Sequence, residues 1–451
     1  MGNPLKRIFA IRRDELPTAL LMASYFFLVI TSFWVLKPIK KSLFIGYYHP
    51  AAQDGLTLAG RHIGGPTAEL YAKLLNMLVA AIAMVVFTWL ARRFVRQQLT
   101  TIFAAFFAAC YLAYIPLLPT DLSVPGQHLV IWSFYLFGDL FSTVMVVTFF
   151  AFLNDSVDSD GAKRLYGVVG FGGVVGGSFA SIVRATVGSD MSNTGWLVTL
   201  AVVAGVIAAL AQAAGRIGDR ARAAPTAEAE PAEDTAKPTG NPAIEGARLV
   251  FSSRYLLAIV GIVGMYEIVS TIMDFQFTAT LVHYTADGDA FGRHLDIVYA
   301  FTLNAAMVIQ LFLTSAIMRR FNIGGALLVL PAAALAASLA FLAAPILWIG
   351  SALNPADNAF SYSINQSARE ALYVPTSRDE KYKAKAFIDM LLQRIAKGVA
   401  VAISIGVTTV FTDFGGVRWL SLVTAAILVG WIATVRYAGR RFEELTRDET
   451  T

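Results

Sequence analysis

A single cysteine, Cys110, stands in 451 residues, and it lies inside an apolar run. Neither an intrachain disulfide nor a cysteine-built metal centre is available to the chain. The five histidines are scattered and have no ligand spacing, so no metal site is expected. Charge is scarce as well: 15% of residues are Asp, Glu, Lys or Arg, against about 25% in an average soluble domain. Catalytic signatures are also missing. There is no H-E-x-x-H, and the nearest approach to a nucleophile elbow, Gly176-Gly177-Ser178-Phe179-Ala180, lacks its final glycine. A cluster at Gly167, Gly170, Gly172, Gly173, Gly176 and Gly177 imitates a phosphate loop, but Ser178 stands where the lysine is needed. The dinucleotide pattern fails in the same place, because Val175 occupies its third glycine position. The chain is therefore expected to be no enzyme, to carry no cofactor and to bind no nucleic acid. The glycines are expected to allow close helix packing instead.

Apolar sequence is what the chain has in excess. Hydrophobic residues make up 56% of it, with a mean hydropathy of +0.60, which marks an integral membrane protein. About 20 apolar residues cross a bilayer as a helix. That window finds twelve spans, near 16–36, 68–91, 99–118, 128–152, 165–187, 194–214, 253–283, 295–318, 323–343, 345–367, 384–411 and 417–438. The first is expected to continue past Pro38 as a kinked helix, because Ser42–Tyr48 stays apolar and aromatic. It is followed by Lys37, Lys40 and Lys41 rather than by small residues, which argues against a cleaved signal peptide.

Short-loop lysines and arginines set the expected orientation. Lys6, Arg12 and Arg13 precede the first span, Arg92, Arg93 and Arg96 follow the second, and Lys163 and Arg164 follow the fourth. Arg319 and Arg320, then Arg378, Lys381 and Lys383, and finally Arg436, Arg440 and Arg441 continue the series. The intervening loops are poor in basic residues, so both termini are expected in the cytoplasm, with a bacterial inner membrane as the location. From Arg216 to Glu245 the chain is rich in Ala, Pro, Glu and Thr and has no apolar period, as a flexible tether does. The expected organisation is a six-helix half over 1–215, a cytoplasmic linker over 216–250, a second six-helix half over 251–440 and a tail over 441–451. A faint echo between Asn154-Asp155-Ser156 and Asn365-Gln366-Ser367 fits two repeated halves. The fold class is thus an all-α membrane protein, twelve helices in two halves, laid out like a major-facilitator transporter. A monomer is expected.

Ionisable side chains inside spans cost roughly 2.5–3.5 kcal/mol each on insertion, so they face a partner, a cavity or a pathway. Lys37, Lys40 and Lys41 surround the Pro38 kink, and Asp139 lies in the middle of the fourth span. Glu267 and Asp274 lie in the seventh, Asp357 and Asn358 in the tenth, and Lys385, Asp389, Arg394 and Lys397 along the eleventh. Lys41 reads as an interface anchor, and Lys381 and Lys383 as loop charges. Asp139 and Glu267 are flanked by apolar residues on both sides, which suits a transport role, with a structural ion pair as the alternative. Asp389 and Lys397 are eight residues apart and share one helix face. For Lys40, Asp139, Glu267 and Lys397 together the penalty approaches roughly 10 kcal/mol, which a water-filled path between the halves would remove.

At these positions the chain resembles the nucleotide transporter family, the ATP/ADP translocases of plastids and obligate intracellular bacteria. Glu370, Tyr373, Pro375, Lys381, Lys383, Lys385, Ala386 and Asp389, with Lys397-Gly398 after them, match that family's E-x-x-Y-[IV]-P, K-x-K-x-K-A-x-[IV]-D and G-K pattern. Leu36-Lys37-Pro38-Ile39-Lys40-Lys41 resembles its L-R-x-x-K-D, and Phe137-Gly138-Asp139-Leu140-Phe141-Ser142 its E-L-W-x-S. Asn154 with Lys163, Arg164 and Tyr166 resembles N-x…[AE]-K-R-x-Y, and Glu267 falls where the family has a glutamate. The departures are Lys37 for arginine, Pro38 and Lys41 for acids, and Asp139 for glutamate. The resemblance implies exchange of nucleotides, with substrate contacts at Lys40, Asp139, Glu267 and either Lys385 or Lys397. Lys37 is a further candidate, and Asp274, Asp357, Asp389 and Arg394 are candidates for coupling or ion pairing.

Two other classes remain open on the residues alone. One is a proton-coupled carrier of another organic anion or a lipid precursor, with Asp139 or Glu267 carrying the proton. The other is a membrane partner or sensor whose charges only hold helices together. The expected partners are a small anionic substrate, a nucleotide in the first reading, and the lipid bilayer.

Overall fold

Apolar runs this long have one way to satisfy their backbone in lipid, which is to hydrogen-bond within helices. The computed structural model follows that rule almost throughout. It describes residues 16–50, 56–58, 61–119, 121–122, 124–156, 159–188, 190–223, 248–376, 384–385 and 387–448. Contacts divide the chain into two compact units, one built from residues up to 231 together with 287–300, the other from 232–286 and 301–451.

The first unit contains α1 (Leu16–Tyr47), α2 (Gly65–Ala91), α3 (Arg96–Tyr114), α4 (His128–Ser156), α5 (Ser159–Val187) and α6 (Asn193–Ala223). α1 runs through Pro38 without ending, as the sequence predicts. It packs on α4, α5 and α6. The glycine cluster explains its closeness to α5. A Cβ on Gly172 would fall 2.7 Å from the Ala23 carbonyl oxygen, and one on Gly176 would fall 2.5 Å from that of Phe27. The Thr31 hydroxyl donates to the Gly176 carbonyl across the same contact, at 3.2 Å. The cluster is a packing seam, as expected. α2 turns a row of apolar side chains outward, with Leu78, Ile82 and Val85 each more than 60% exposed, a surface suited to lipid.

Two features differ from the sequence expectation here. A short antiparallel hairpin, β1 (Leu56–Leu58) with β2 (Arg61–Ile63), precedes α2; its strands are too short for a period-two pattern to register. α6 also continues to Ala223, past the expected linker start at 216. The stretch Arg216–Ala223 contains mostly Arg, Ala and Ile, which tolerate a helix. The rest of that linker, 224–247, lies outside the described residues.

The second unit contains α7 (Arg254–Tyr284), α9 (Thr314–Ala343), α10 (Leu347–Phe360), α11 (Gln366–Ala371), α12 (Gln393–Val410), α13 (Phe414–Val417) and α14 (Leu420–Asp448). Between α7 and α9 runs α8 (Gly288–Val308), grouped with the first unit up to Ala300 and with the second from Phe301. α7 packs on α10, α12 and α14, and α9 on α10 and α14. Gly324 and Gly439 let α9 and α14 touch backbone to backbone, since a Cβ on Gly439 would fall 2.9 Å from the Gly324 Cα. Three π-helical turns, Ile309–Leu313, Ser361–Asn365 and Ile388–Leu392, interrupt the α-helical ladder. Asn322, at φ 58 and ψ 178, breaks the long apolar stretch from Gly288 to Ala343.

Among the described residues eight stretches are long and apolar enough to cross a membrane: Leu16–Tyr47, Gly65–Ala91, His128–Leu153, Val168–Val187, Asn193–Ile217, Arg254–Tyr284, Gly288–Ala343 and Phe414–Arg447. The chain is an integral, multi-pass membrane protein, nearly all-helical among the described residues. Helices also occupy 96–114, 347–371 and 393–410, where the sequence places its third, tenth and eleventh spans.

Candidate functional site

Buried charge concentrates on α1 in the first unit. Lys37, Lys40 and Lys41 flank Pro38, and the neighbours Lys40 and Lys41 point about 100° apart around the helix. The three ammoniums have different partners. Lys40 is 5% exposed and forms an ion pair with Asp139 of α4. Its stem lies across Gly138, where a Cβ would come within 2.5 Å of the lysine Cδ, so glycine there makes room for the pair. Tyr135, four residues before Asp139 and on the same face of α4, holds its ring 4.2 Å beneath the Lys40 ammonium. Lys37 is held by rings: its ammonium lies 4.4 Å from the Trp34 centroid, 5.2 Å from Tyr299 and 5.7 Å from Phe33. Such cation–π contacts compensate part of the lost hydration.

Lys41 is not the interface anchor the sequence suggested. It is 3% exposed, and its ammonium lies 3.2 Å from Glu69 of α2. Glu69 stands at the edge of the second predicted span and is not among the residues expected from sequence. An acid in an apolar helix start, Pro66-Thr67-Ala68-Glu69-Leu70, was the available signal.

Arg184 of α5 and Asp296 of α8 were missed altogether. They form a bidentate, buried ion pair, Nε to Oδ1 at 3.2 Å and Nη2 to Oδ2 at 2.7 Å. Arg184 also stacks on Trp196 at 4.9 Å. A cavity of about 270 Å³ beside them is lined by Ser42, Arg184, Asn193, Asp289, Arg293 and Asp296 among others. The lone arginine in the apolar run Ala180–Val187 was the sequence signal.

In the second unit Glu267, Ser270 and Asp274 recur at three and four residues, one face of α7. Glu267 is 8% exposed, and the Lys397 ammonium of α12 lies 3.5 Å from it. The Ser270 hydroxyl donates to Asp357 of α10 at 2.5 Å, and Asp357 is 3% exposed. Lys385 is placed differently: it bonds both carboxylate oxygens of Glu370, at 2.9 and 2.7 Å, with both side chains more than a third exposed. Asp274 and Arg394 are half-buried on α7 and α12. The side chains of Asn154, Lys163, Arg164, Tyr166 and Asp389, and residues Lys381 and Lys383, lie outside the described residues.

The structure thus joins four of the predicted residues in two lysine–acid pairs, Lys40 with Asp139 and Lys397 with Glu267, one in each unit. Each pair puts a lysine ammonium beside a carboxylate. Lysine serves phosphoryl groups as a point charge. A model of the TLC ATP/ADP transporter family matches residues 118–348 and 344–442 of the chain. The chain belongs to the TLC ATP/ADP transporter family.

Relatives of the family lie at low identity. ADP,ATP carrier protein 1 of Chlamydia pneumoniae is 21% identical over 494 residues, covering 96% of this chain and 93% of that protein. The plastidic ATP/ADP-transporter of Solanum tuberosum is 24% identical over 357 residues, covering 72% of this chain and 56% of the relative. The chloroplastic ADP,ATP carrier protein 1 of Arabidopsis thaliana is 22% identical over 363 residues, 72% of this chain and 57% of the relative. The chain therefore spans little more than half the length of the plastid relatives. Among solved structures, a variant of nucleoside transporter NupG superposes with a TM-score of 0.62 at 12% identity, covering 93% of this chain and 99% of that one. A POT family transporter in complex with a thioalcohol-conjugated peptide gives 0.62 at 11%, covering 96% and 99%. These likenesses establish the major-facilitator type of fold.

Proposed function

We propose that this family member is an alternating-access transporter that exchanges nucleotides of the ATP and ADP kind across the membrane, without chemistry on the nucleotide. The observation that carries the reading is the pairing of Lys40 with Asp139 and of Lys397 with Glu267, at positions that the family resemblance assigns to substrate. In this reading a phosphoryl group competes with Asp139 for Lys40, and with Glu267 for Lys397. Each carboxylate acts as a placeholder that balances an ammonium, the buried one of Lys40 and the half-exposed one of Lys397, and keeps anion binding reversible. The relatives, named as ADP,ATP carriers of Chlamydia and of plastids, supply the choice of nucleotide.

The same reading takes twelve spans, the halves 1–215 and 251–440, both termini in the cytoplasm of a bacterial inner membrane, and a monomer. Lys37 is taken as a further substrate contact on α1. Lys397 is favoured over Lys385 for substrate contact, because Glu370 occupies Lys385 through both oxygens.

A thermal-shift series in detergent tests the substrate class. A ligand at 100 times its dissociation constant stabilises by about 2.7 kcal/mol. ATP and ADP are expected to raise the melting temperature, and the uncharged nucleoside adenosine is expected not to. Equal shifts with adenosine, or none with any nucleotide, contradict the proposal.

A further inference from the structure

Glu69 is 2% exposed and the proposed transport scheme makes no use of it. Three donors converge on its Oε1 atom: the Tyr135 hydroxyl at 3.0 Å, the Lys41 ammonium at 3.2 Å and the Lys73 ammonium at 3.7 Å. Lys73 comes from the next turn of α2, Lys41 from α1 and Tyr135 from α4, so one carboxylate oxygen ties three helices of the first unit together. Tyr135 then faces two ways. Its hydroxyl is fixed to Glu69, and its ring supports the Lys40 ammonium at 4.2 Å.

We propose that Glu69, acting through Tyr135, is a positioning residue for Lys40 and thereby sets the chain's affinity for its anionic substrate. This rests on the transport reading above and adds a residue to it. Lys40 and Lys41 are neighbours in sequence and both are buried. Without separate anchors the two ammoniums would compete for the same carboxylates. Glu69 takes Lys41, which leaves Asp139 to Lys40. The Tyr135 hydroxyl, donating to a carboxylate, gains electron density that its ring passes to the cation above, because hydrogen bonds in a low-dielectric interior polarise one another. Glu69 is not placed to touch substrate: its oxygen is occupied by protein donors. Its effect on substrate must travel through the ring that Lys40 rests on.

A purely structural role for Glu69 would change the yield of folded protein and leave substrate affinity alone, so the test reads KM against maximal rate. Tyr135→Phe keeps the ring and removes only the hydroxyl. Glu69→Gln keeps the shape and removes the charge. In proteoliposomes both are expected to raise KM for ATP and ADP roughly three- to tenfold, about 0.7–1.4 kcal/mol, with the maximal rate within about twofold of wild type. Glu69→Gln leaves Lys41 without its carboxylate; if that variant folds poorly, Tyr135→Phe alone decides. A second measurement needs no substrate. Thermal unfolding of the Glu69→Gln and Lys40→Met double-mutant cycle is expected to be non-additive, and additive once Tyr135 is Phe. A chain that carries no nucleotide yet shows this pattern contradicts the transport reading and supports the positioning role. A chain that exchanges nucleotide with wild-type KM in both variants overturns the positioning role.

Discussion

Removing Lys40 alone should destabilise the protein, whereas removing the whole Lys40–Asp139 pair should be nearly neutral for stability; both should impair transport. The Lys40 side chain is 6% exposed and that of Asp139 is 23% exposed. Lys40→Met therefore leaves a largely buried carboxylate without its cation, a change that costs about 3–5 kcal/mol in fully buried pairs. Asp139 keeps some access to water, which places the expected loss below that range, about 2–3 kcal/mol. Lys40→Met/Asp139→Asn removes both charges. It should melt within about 1 kcal/mol of wild type, because replacing a whole buried pair is often neutral or stabilising. If Lys40 binds the substrate's phosphates, the stable double variant still loses one charge-assisted contact, and its affinity should fall about ten- to a hundredfold. The assay is melting in detergent followed by nucleotide uptake into proteoliposomes with the same four proteins, the second single being Asp139→Asn. A double variant that is stable and transports like wild type would refute the reasoning and make the pair a structural one.

The two second-unit lysines should separate in the same uptake assay. Lys397→Gln is expected to raise the apparent Kd about tenfold or more, with binding that weakens as salt rises, whereas Lys385→Gln should leave it within about twofold of wild type; equal effects would contradict the assignment. Gly176→Val places methyl groups against the Phe27 carbonyl, already 2.5 Å from an ideal Cβ, and should cost at least about 1–3 kcal/mol through overpacking, read as lower melting and lower yield. Arg184→Met strands Asp296, 5% exposed, and should cost about 3–5 kcal/mol, much of it recovered by adding Asp296→Asn; a single variant with wild-type melting would show that the pair contributes nothing net.

Much of the fold was legible in the sequence, because bilayer length and apolarity leave helices as the solution for a chain of this composition. α1, α2, α4, α5, α7 and α14 fall where the apolar windows place them, and the run of glycines in α5 signals the close packing that brings it against Ala23 and Phe27. The hairpin at Leu56–Ile63 and the extension of α6 to Ala223 were not legible, since a three-residue strand carries no period and an Arg-Ala stretch fits helix and tether alike. Within the site, intraspan charge located Lys40, Asp139, Glu267 and Lys397, but pairing is a three-dimensional property that spacing along the chain does not encode. Lys41 was misread for that reason: 28 residues separate it from its partner Glu69. Arg184 and Asp296, 112 residues apart, escaped because each alone resembles a charge near a span end.

Counter-exchange is the central claim, and labelled uptake measures it most directly. Purified protein is reconstituted into liposomes that are either empty or preloaded with ADP, and entry of labelled ATP is followed over time at one pH on both sides. The account predicts rapid uptake into the ADP-loaded vesicles, little into the empty ones, and loss of the difference in Lys40→Met/Asp139→Asn. Equal uptake into loaded and empty vesicles, or none into either while the protein is folded, would contradict it.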